Sequence, residues 1–291
     1  MDRRGFLVAT SALALSCRRR SEPPAAATTF DVLDWEMEAE LGGDKRCVVL
    51  VPHAPKPGTR FPLLVALHGM GETTTPRKGA YGWLESYTLG RTLDRLAQPP
   101  LTASDFHGLV TPARLGELNA ALSKQPFGGL VIACPYLPRG IGSDVPYEVY
   151  GRWLGERLLP RLRAETPVVG TAQTTGIDGV SLGGITALRV GLERADLFGA
   201  VGALQPAVVG EESVDALAAA FSQKLSGRPL RIVTSTEDAF RPALVALDSK
   251  LGSRGVKHEL FISEGPHDYV WNQGPGAIEM LVWHDRTLRR G

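Results

Sequence analysis

Three side chains that could together perform nucleophilic chemistry stand in the order serine, carboxylate, histidine along this sequence: Ser181, Asp238 and His267. A serine hydroxyl is a weak nucleophile until a neighbouring base takes its proton, and that base needs a third group to orient it. In triads of this type a histidine is the base and a carboxylate orients it. The residues can act only if the fold brings them together, so the elements around them decide the interpretation.

Ser181 stands in the motif "DGVSLGG", between a β-prone approach and a segment of helical period. A strand that turns sharply into a helix exposes the residue at the turn. A Cβ at the flanking positions Gly179 and Gly183 would clash in so tight an elbow. The alternative is an ordinary loop serine, but the strand, turn and helix context favours a nucleophile.

His267 is the predicted base because it lies on a turn, "GPHDYVW", just past the strand-like run "HELFIS". Two other histidines follow Ser181 in the chain. His258 opens a strand, where a side chain on the sheet surface is the simpler interpretation. His284 lies within the last helix, which favours a surface or packing role.

Asp238 is the predicted orienting acid, because it ends the strand-like run in "RIVTSTEDAF" before the histidine. Its neighbour Glu237 is the competing candidate. A helix N-cap is the alternative role for Asp238 itself. Asp268 adjoins the histidine but points away from it in most turns, so it ranks last.

The motif "LHGMGE" follows the strand-like run "LLVAL" and predicts a hole for a developing oxyanion. Glycines there let backbone N–H groups approach a substrate carbonyl oxygen. The predicted donors are the N–H groups of Met70 and of Leu182, the residue after the nucleophile. We also predict that His68, Gly69 and Gly71 contact the substrate.

Apolar strand-like runs alternate with segments of helical period from about residue 60 to the end of the chain. This alternation predicts an α/β fold, with a mostly parallel sheet, an antiparallel N-terminal hairpin at one edge and helices on both faces. Residues 29–291 would form one domain, with a helical flap at about 72–127 over the carboxyl edge of the sheet. Because ligands bind at that edge, the sheet would bring the three reactive residues together.

Residues 1–28 are typical of an export signal followed by a tether. The run "DRRGFL" resembles a twin-arginine signal, although Asp2 stands where serine or threonine is usual. Cys17, after "LALS", resembles the lipidation site of bacterial lipoproteins, and a frayed N-terminal helix is the alternative. We therefore expect a periplasmic protein, a lipoprotein attached to the membrane through Cys17, or a secreted protein. Cys47 and Cys134 lie in strand-like runs and are predicted to be buried, with a disulfide as the alternative.

The 291 residues carry a net charge of +1 with both signs interspersed, which gives no electrostatic reason to expect a nucleic-acid partner. The sequence contains no apolar run near 20 residues that would indicate a spanning helix. It also lacks HExxH, paired CxxC and strand-linked GxGxxG motifs, so no metal or organic cofactor is expected. The oligomeric state cannot be derived from the pattern.

From Phe30 onward the chain resembles an α/β-hydrolase, in the branch of esterase D, feruloyl esterases and polyhydroxyalkanoate depolymerases. The resemblance rests on four motifs, "LHGMGE", "DGVSLGG", "STEDAF" and "GPHDYVW", in the chain order serine, aspartate, histidine that this fold uses. It implies a serine esterase that cleaves a small-molecule or polymer ester through an acyl-enzyme. It also implies that Tyr269 and Trp271 lie near the substrate.

Two other functions remain open at this point. The same triad could cleave amides or transfer an acyl group to another alcohol, because the acceptor pocket decides between these outcomes. A binding protein on a hydrolase fold is the alternative from another class. Its signature would be a missing nucleophile, base or oxyanion glycine, and none of these is missing from the sequence.

Overall fold

The computed structural model describes residues 29–37, 45–54, 56–224 and 227–289. The predicted export signal and tether, with Cys17, lie outside the described residues, as do residues 38–44 within the predicted N-terminal hairpin. Among the described residues no helix combines the length and the apolarity that crossing a bilayer requires.

An eight-stranded sheet lies at the centre of the described chain, in the order β1-β2-β4-β3-β5-β6-β7-β8. In chain order the strands β1 to β8 are Phe30–Met37, Lys45–Pro52, Leu63–Leu67, Val131–Pro135, Thr175–Gly179, Ala200–Leu204, Leu230–Glu237 and Glu259–Pro266. Strands β3 to β8 run parallel, and β2 pairs antiparallel with both β1 and β4. The predicted mostly parallel sheet with an antiparallel N-terminal hairpin is confirmed.

Helices connect the parallel strands. In chain order the helices α1 to α11 are Pro76–Ala80, Gly82–Glu85, Leu89–Leu96, Pro112–Lys124, Tyr147–Trp153, Leu159–Glu165, Leu182–Glu193, Glu211–Lys224, Arg241–Ser253, Tyr269–Trp271 and Ala277–Leu288. Short 3-10 turns lie at Met70–Glu72 and Ala103–Phe106, and π-helical turns lie at Leu154–Leu158 and Asn272–Gly276.

Successive residues of a strand point alternately into two hydrophobic cores, one on each face of the sheet. Leu63 and Val65 of β3 point into a core shared with α5 to α9, and Leu64 and Ala66 point into a core shared with α3, α4 and α11. This follows from the two-residue period of a strand, since every residue of β3 is buried on one face or the other. Helices therefore cover both faces, as predicted.

The segment between β3 and β4 is helical and forms part of one of these two layers. Its residues Trp83, Leu93 and Leu122 are buried in the same core as Ile278 of α11. The segment therefore packs mainly on a sheet face, whereas the flap was expected over the carboxyl edge. Its first part, around Glu72 and Tyr87, reaches that edge at the pocket described below.

The two described cysteines are buried and unpaired. In the antiparallel register Cys47 lies opposite Pro135, and Cys134 lies opposite Val48. The Cys47 side chain therefore belongs to one core and the Cys134 side chain to the other. Because the sheet separates the two thiols, a bridge between them would require the strands to be rebuilt.

Candidate active site

Two pairs of neighbouring strands place the predicted site residues at the same edge of the sheet. Leu67 of β3 lies beside Gly179 of β5, so the residues after β3 leave the sheet next to Ser181. Glu237 of β7 lies beside Pro266 of β8, so the residues that follow these two positions leave the sheet next to each other. All four strands are parallel, and their carboxyl ends open on the same edge.

Ser181 stands between β5 and α7 with φ 56° and ψ −112°, a conformation that L-residues rarely adopt. The flanking glycines make this turn feasible. A Cβ on Gly179 would lie 2.6 Å from the carbonyl carbon of Gly183, and a Cβ on Gly183 would overlap with the carbonyl oxygen of Leu67. The steric requirement behind the G-x-S-x-G spacing is therefore met.

Backbone hydrogen bonds hold this elbow between its neighbouring strands. The Ser181 N–H donates to the carbonyl of Leu204 at 2.9 Å, and the Ala207 N–H donates to the Ser181 carbonyl at 3.1 Å. On the other side, the Val180 N–H donates to the carbonyl of Leu67 at 3.1 Å. These bonds fix the strained turn from both sides, which is how such a conformation persists in a folded protein.

A pocket of about 230 Å³ opens at this edge of the sheet. Six of the predicted site residues line it: Gly69, Met70, Gly71, Ser181, His267 and Tyr269. The predicted nucleophile and the predicted base thus share one cavity. Within the described part of the chain, no group of three or more His, Cys, Asp or Glu side chains is arranged to hold a metal ion.

The imidazole of His267 is paired with the carboxylate of Asp238. Nδ1 of His267 lies 2.9 Å from Oδ1 of Asp238. Because an ionised carboxylate only accepts hydrogen bonds, Nδ1 is the donor, which leaves Nε2 of the neutral ring as an acceptor. The histidine side chain is 26% exposed and the aspartate side chain is fully buried, so the base has access to the pocket and its partner does not.

Three donors hold the Asp238 carboxylate in its ionised form. Besides His267, the Thr234 hydroxyl donates to Oδ2 at 2.6 Å and the Phe240 N–H donates to Oδ1 at 3.0 Å. Burial alone would raise the pKa of Asp238, but these hydrogen bonds outweigh it and hold the pKa below its ordinary value. The carboxylate is therefore charged at neutral pH and can stabilise an imidazolium.

The two competing acids are placed differently from Asp238. Glu237 is exposed at the end of β7. Asp268 caps the following helical turn by accepting the Trp271 N–H at 2.9 Å, so its carboxylate serves the backbone. The alternative N-cap role of Asp238 is not observed, because the residue at the N-cap of α9 is Phe240.

Residues 68–72 are named here the oxyanion loop, and residues 69–72 of this loop form one wall of the pocket. Met70 is 50% exposed at its rim. The Gly69 N–H donates to the Tyr87 hydroxyl at 3.0 Å, so that group is occupied within the protein. Among the described residues, the N–H groups of Met70 and Leu182 have no protein acceptor, as an oxyanion hole requires.

Two predicted substrate contacts, His68 and Trp271, are wrong. His68 is 1% exposed, donates from Nδ1 to the Gly69 carbonyl at 2.8 Å and accepts the Leu137 N–H at Nε2. Burial lowers its pKa to about 4, so the ring is neutral and supports the oxyanion loop from behind. Trp271 is fully buried, and its indole N–H donates to the Ser263 hydroxyl at 2.7 Å.

The pocket wall also contains residues that were not predicted to contact the substrate: Glu72, Tyr87, Val180, Asp268 and Asn272. Glu72 ends the "LHGMGE" motif, so its position next to the oxyanion glycines was a usable signal. Tyr87 lies in the helical segment after β3, and nothing in the sequence pattern shows that it turns back to the pocket.

Part of the chain matches a known protein family. Residues 142–241 match the family model Esterase, described as "Putative esterase", and this region includes the nucleophile elbow and Asp238. Among curated protein sequences none matches the chain.

Solved structures of similar fold cover nearly the whole chain at low sequence identity. A ferulic acid esterase is similar with a TM-score of 0.65 and 17% identity, over 90% of this chain and 100% of that one. An S-formylglutathione hydrolase from Staphylococcus aureus has a TM-score of 0.61 and 13% identity, over 88% and 99% of the two chains. A ferulic acid esterase from Anaeromyces mucronatus has a TM-score of 0.59 and 17% identity, over 92% and 94%.

The α/β-hydrolase fold and the resemblance to serine esterases of that fold are confirmed. The esterase model, which matches residues 142–241, supports the predicted enzyme class, a serine carboxylic-ester hydrolase. The roles of individual residues rest on the geometry described above.

Proposed function

We propose that this chain, an α/β-hydrolase of the esterase group, cleaves carboxylic esters through an acyl-enzyme formed on Ser181. One observation carries the proposal. The His267 imidazole, hydrogen-bonded at 2.9 Å to the buried Asp238 carboxylate, lies on the same pocket as Ser181. A base with its orienting acid on the same pocket as the nucleophile supports nucleophilic catalysis.

In the acylation step, the Ser181 hydroxyl attacks the carbonyl carbon of the ester and His267 accepts the hydroxyl proton at Nε2. The Asp238 carboxylate, on the far side of the ring, stabilises the imidazolium that forms. The imidazolium then returns the proton to the leaving alcohol as the carbon–oxygen bond breaks. The acyl group remains on the serine oxygen.

The negative charge that develops on the carbonyl oxygen needs donors already in place. The N–H groups of Met70 and Leu182 have this role in the proposal, and their lack of a protein acceptor supports it. Each donor of this kind stabilises the transition state by about 3–4 kcal/mol in serine hydrolases. The loop that carries Met70 is then as important for the rate as the choice of base.

Deacylation repeats the same steps with water. His267 removes a proton from a water molecule, the resulting nucleophile attacks the acyl carbon, and the same two N–H groups hold the oxyanion. Breakdown of this second tetrahedral intermediate releases the carboxylic acid and returns the proton to Ser181.

The proposed substrates are esters of small molecules or polymers with a neutral acyl group that is short or contains a single ring. The cavity volume of about 230 Å³ supports a small acyl group. The pocket wall contains two carboxylates, Glu72 and Asp268. Both would repel a negatively charged acyl group. The ferulic acid esterases among the similar structures support a phenolic ring as one choice.

Export is also part of the proposal. It is supported by the paired Arg3 and Arg4, the short apolar run after them and the position of Cys17. The protein would then act in the periplasm, at the membrane through a lipid on Cys17, or outside the cell.

Turnover of p-nitrophenyl acetate and butyrate by the wild type and by Ser181→Ala tests the proposal. We expect the wild type to hydrolyse both esters and the variant to lose activity by a factor on the order of 10⁴ or more. Equal rates for the two proteins would contradict it. Anilide substrates and added alcohols, tested on the active wild type, separate ester hydrolysis from amide cleavage and acyl transfer.

A further inference from the structure

Glu72 is a buried carboxylate on the pocket wall that the proposed mechanism does not use. It is 1% exposed, and burying an ionised carboxylate is costly unless its oxygens are satisfied. Elsewhere in the molecule the equally buried Glu279 is satisfied by two cations, Arg114 and Arg231, at 2.7 and 2.8 Å. Glu72 is held by two phenol hydroxyls instead.

These two hydroxyls come from different parts of the chain and use both carboxylate oxygens. The Tyr87 hydroxyl donates to Oε2 of Glu72 at 2.5 Å, and the Tyr269 hydroxyl donates to Oε1 at 2.8 Å. The two phenol rings stack with centroids 5.8 Å apart. The hydrogen bond to Glu72, followed by burial, raises the pKa of Tyr269 to about 12, so this hydroxyl keeps its proton at neutral pH.

Tyr269 belongs to the chain segment of the proposed base, and Tyr87 contacts the oxyanion loop. Tyr269 stands two positions after His267, in the segment 267–271 that we name the histidine loop. The Tyr87 hydroxyl also accepts the Gly69 N–H, at the start of the oxyanion loop. Glu72 itself closes that loop, in the 3-10 turn Met70–Glu72. One carboxylate therefore connects both loops across the pocket.

We infer that Glu72 is a positioning residue, which holds the oxyanion loop and the histidine loop at a fixed separation through Tyr87 and Tyr269. The inference rests on the proposed function. Because Tyr87 occupies the Gly69 N–H, that group cannot hold an oxyanion, whereas the Met70 N–H has no acceptor among the described residues and can. A displacement of about 1 Å between donor and base costs on the order of 10²-fold in rate, so a direct link between the two loops is of value.

The chemistry of the link explains why a carboxylate stands at position 72. The Tyr87 oxygen already accepts the Gly69 N–H, so its proton must go to an acceptor. A carboxylate accepts on both oxygens and serves both hydroxyls. A glutamine would turn its oxygen to Tyr87 and its NH₂ group to Tyr269, whose hydroxyl would then have to accept a weaker, uncharged hydrogen bond.

Tyr269→Phe removes one arm of the link without emptying a buried site, since Tyr269 is 47% exposed. We expect kcat for p-nitrophenyl butyrate to fall about tenfold while KM changes less than about twofold, because the link acts on transition-state geometry. Glu72→Gln weakens the same arm and should lower kcat about threefold. Tyr81→Phe is the matched control, because its hydroxyl donates to Asp34 at 2.8 Å outside the pocket.

The double variant Glu72→Gln/Tyr269→Phe identifies the route of the effect. If Glu72 acts through Tyr269, the double variant should have the kcat of Tyr269→Phe, because the arm that glutamine weakens is already gone. Losses that multiply would overturn the inference. So would a Tyr269→Phe variant whose kcat matches that of the Tyr81→Phe control.

Melting temperatures separate positioning from general destabilisation. We expect Tyr269→Phe and Tyr81→Phe to melt within about 2 °C of each other, because each loses one hydrogen bond and water in the pocket can replace the hydroxyl at Oε1 of Glu72. A kcat loss accompanied by a much larger melting shift in Tyr269→Phe would overturn the inference. Failure of the proposed function itself has a different result, because the wild type would then show no turnover that depends on Ser181.

Discussion

Two histidine–aspartate pairs of equal length lie near the nucleophile elbow and differ in access. His267 and Asp238 meet at 2.9 Å, and the histidine side chain is 26% exposed on the pocket. His284 and Asp178 also meet at 2.9 Å, but their side chains are 0% and 3% exposed. The second pair lies on the sheet face that α11 covers, with Asp178 only three positions before Ser181.

The surroundings of the buried pair indicate a structural role. Asp178 accepts the Gly179 N–H at 2.7 Å and so supports the backbone that leads into the elbow. Glycines at 176 and 202 leave room for the two side chains, since a Cβ at Gly176 would lie 2.6 Å from Nδ1 of His284 and a Cβ at Gly202 would overlap with the aspartate. A histidine–aspartate distance is therefore not diagnostic of catalysis. Access to a cavity that contains a nucleophile is the distinguishing feature.

The largest expected effect separates the two pairs by activity. Asp238→Asn should lower kcat by about 10⁴-fold, because asparagine cannot hold His267 in the tautomer that accepts the serine proton. Steady-state hydrolysis of p-nitrophenyl butyrate measures this loss. Glu237→Gln, one position earlier and exposed, is the matched control and should stay within about twofold of the wild type. The reverse result would make Glu237 the orienting acid.

The buried pair should instead affect stability. Asp178→Asn leaves His284 with a weakened buried partner and should lower the free energy of unfolding by about 3 kcal/mol, which corresponds to roughly 6–12 °C in melting temperature. At 20 °C the folded variant should keep kcat within about tenfold of the wild type. A kcat loss as large as that of Asp238→Asn, with no change in melting temperature, would show that the comparison assigns the two pairs wrongly.

A third histidine, His68, is buried with backbone groups as its hydrogen-bond partners instead of a carboxylate. Burial lowers its pKa to about 4. The folded state keeps the ring neutral while the unfolded chain takes up a proton below its usual pKa of 6.5, so stability is lost as the pH falls from about 6.5 towards 4. By pH 5 this loss is about 2 kcal/mol.

Urea unfolding at pH 7.5 and 5.0 measures that loss. His68→Gln, whose amide can donate and accept like the neutral ring, should lose about 2 kcal/mol less than the wild type between the two pH values. Equal losses in both proteins would mean that His68 is protonated in the folded state or that its burial has no energetic consequence.

The two histidine–aspartate pairs also differ in whether they can be predicted from the sequence. The sheet, its hairpin and the positions of Ser181, Asp238 and His267 after parallel strands follow from apolar patterning, because strand ends share one edge. The pairing of His284 with Asp178 does not follow, since the residues are 106 positions apart and no periodicity tells which aspartate a helical histidine faces.

The wrong predictions have a similar origin. His68 and Trp271 adjoin residues that do line the pocket, and neighbours in a turn or a short helix point in different directions. Tyr87 reaches the pocket from the helical segment after β3, whose packing depends on contacts with α11 that the sequence does not reveal. Motifs therefore located the site, whereas the inward or outward direction of each side chain required coordinates.

Reaction of the protein with a fluorophosphonate probe, followed by peptide mass mapping, shows directly whether Ser181 is an activated nucleophile. A fluorophosphonate phosphonylates a serine only when a neighbouring base activates it. We expect one adduct per chain, on the peptide that contains Ser181, and no adduct in Ser181→Ala. A wild type that stays unlabelled, or an adduct on another residue, would contradict it.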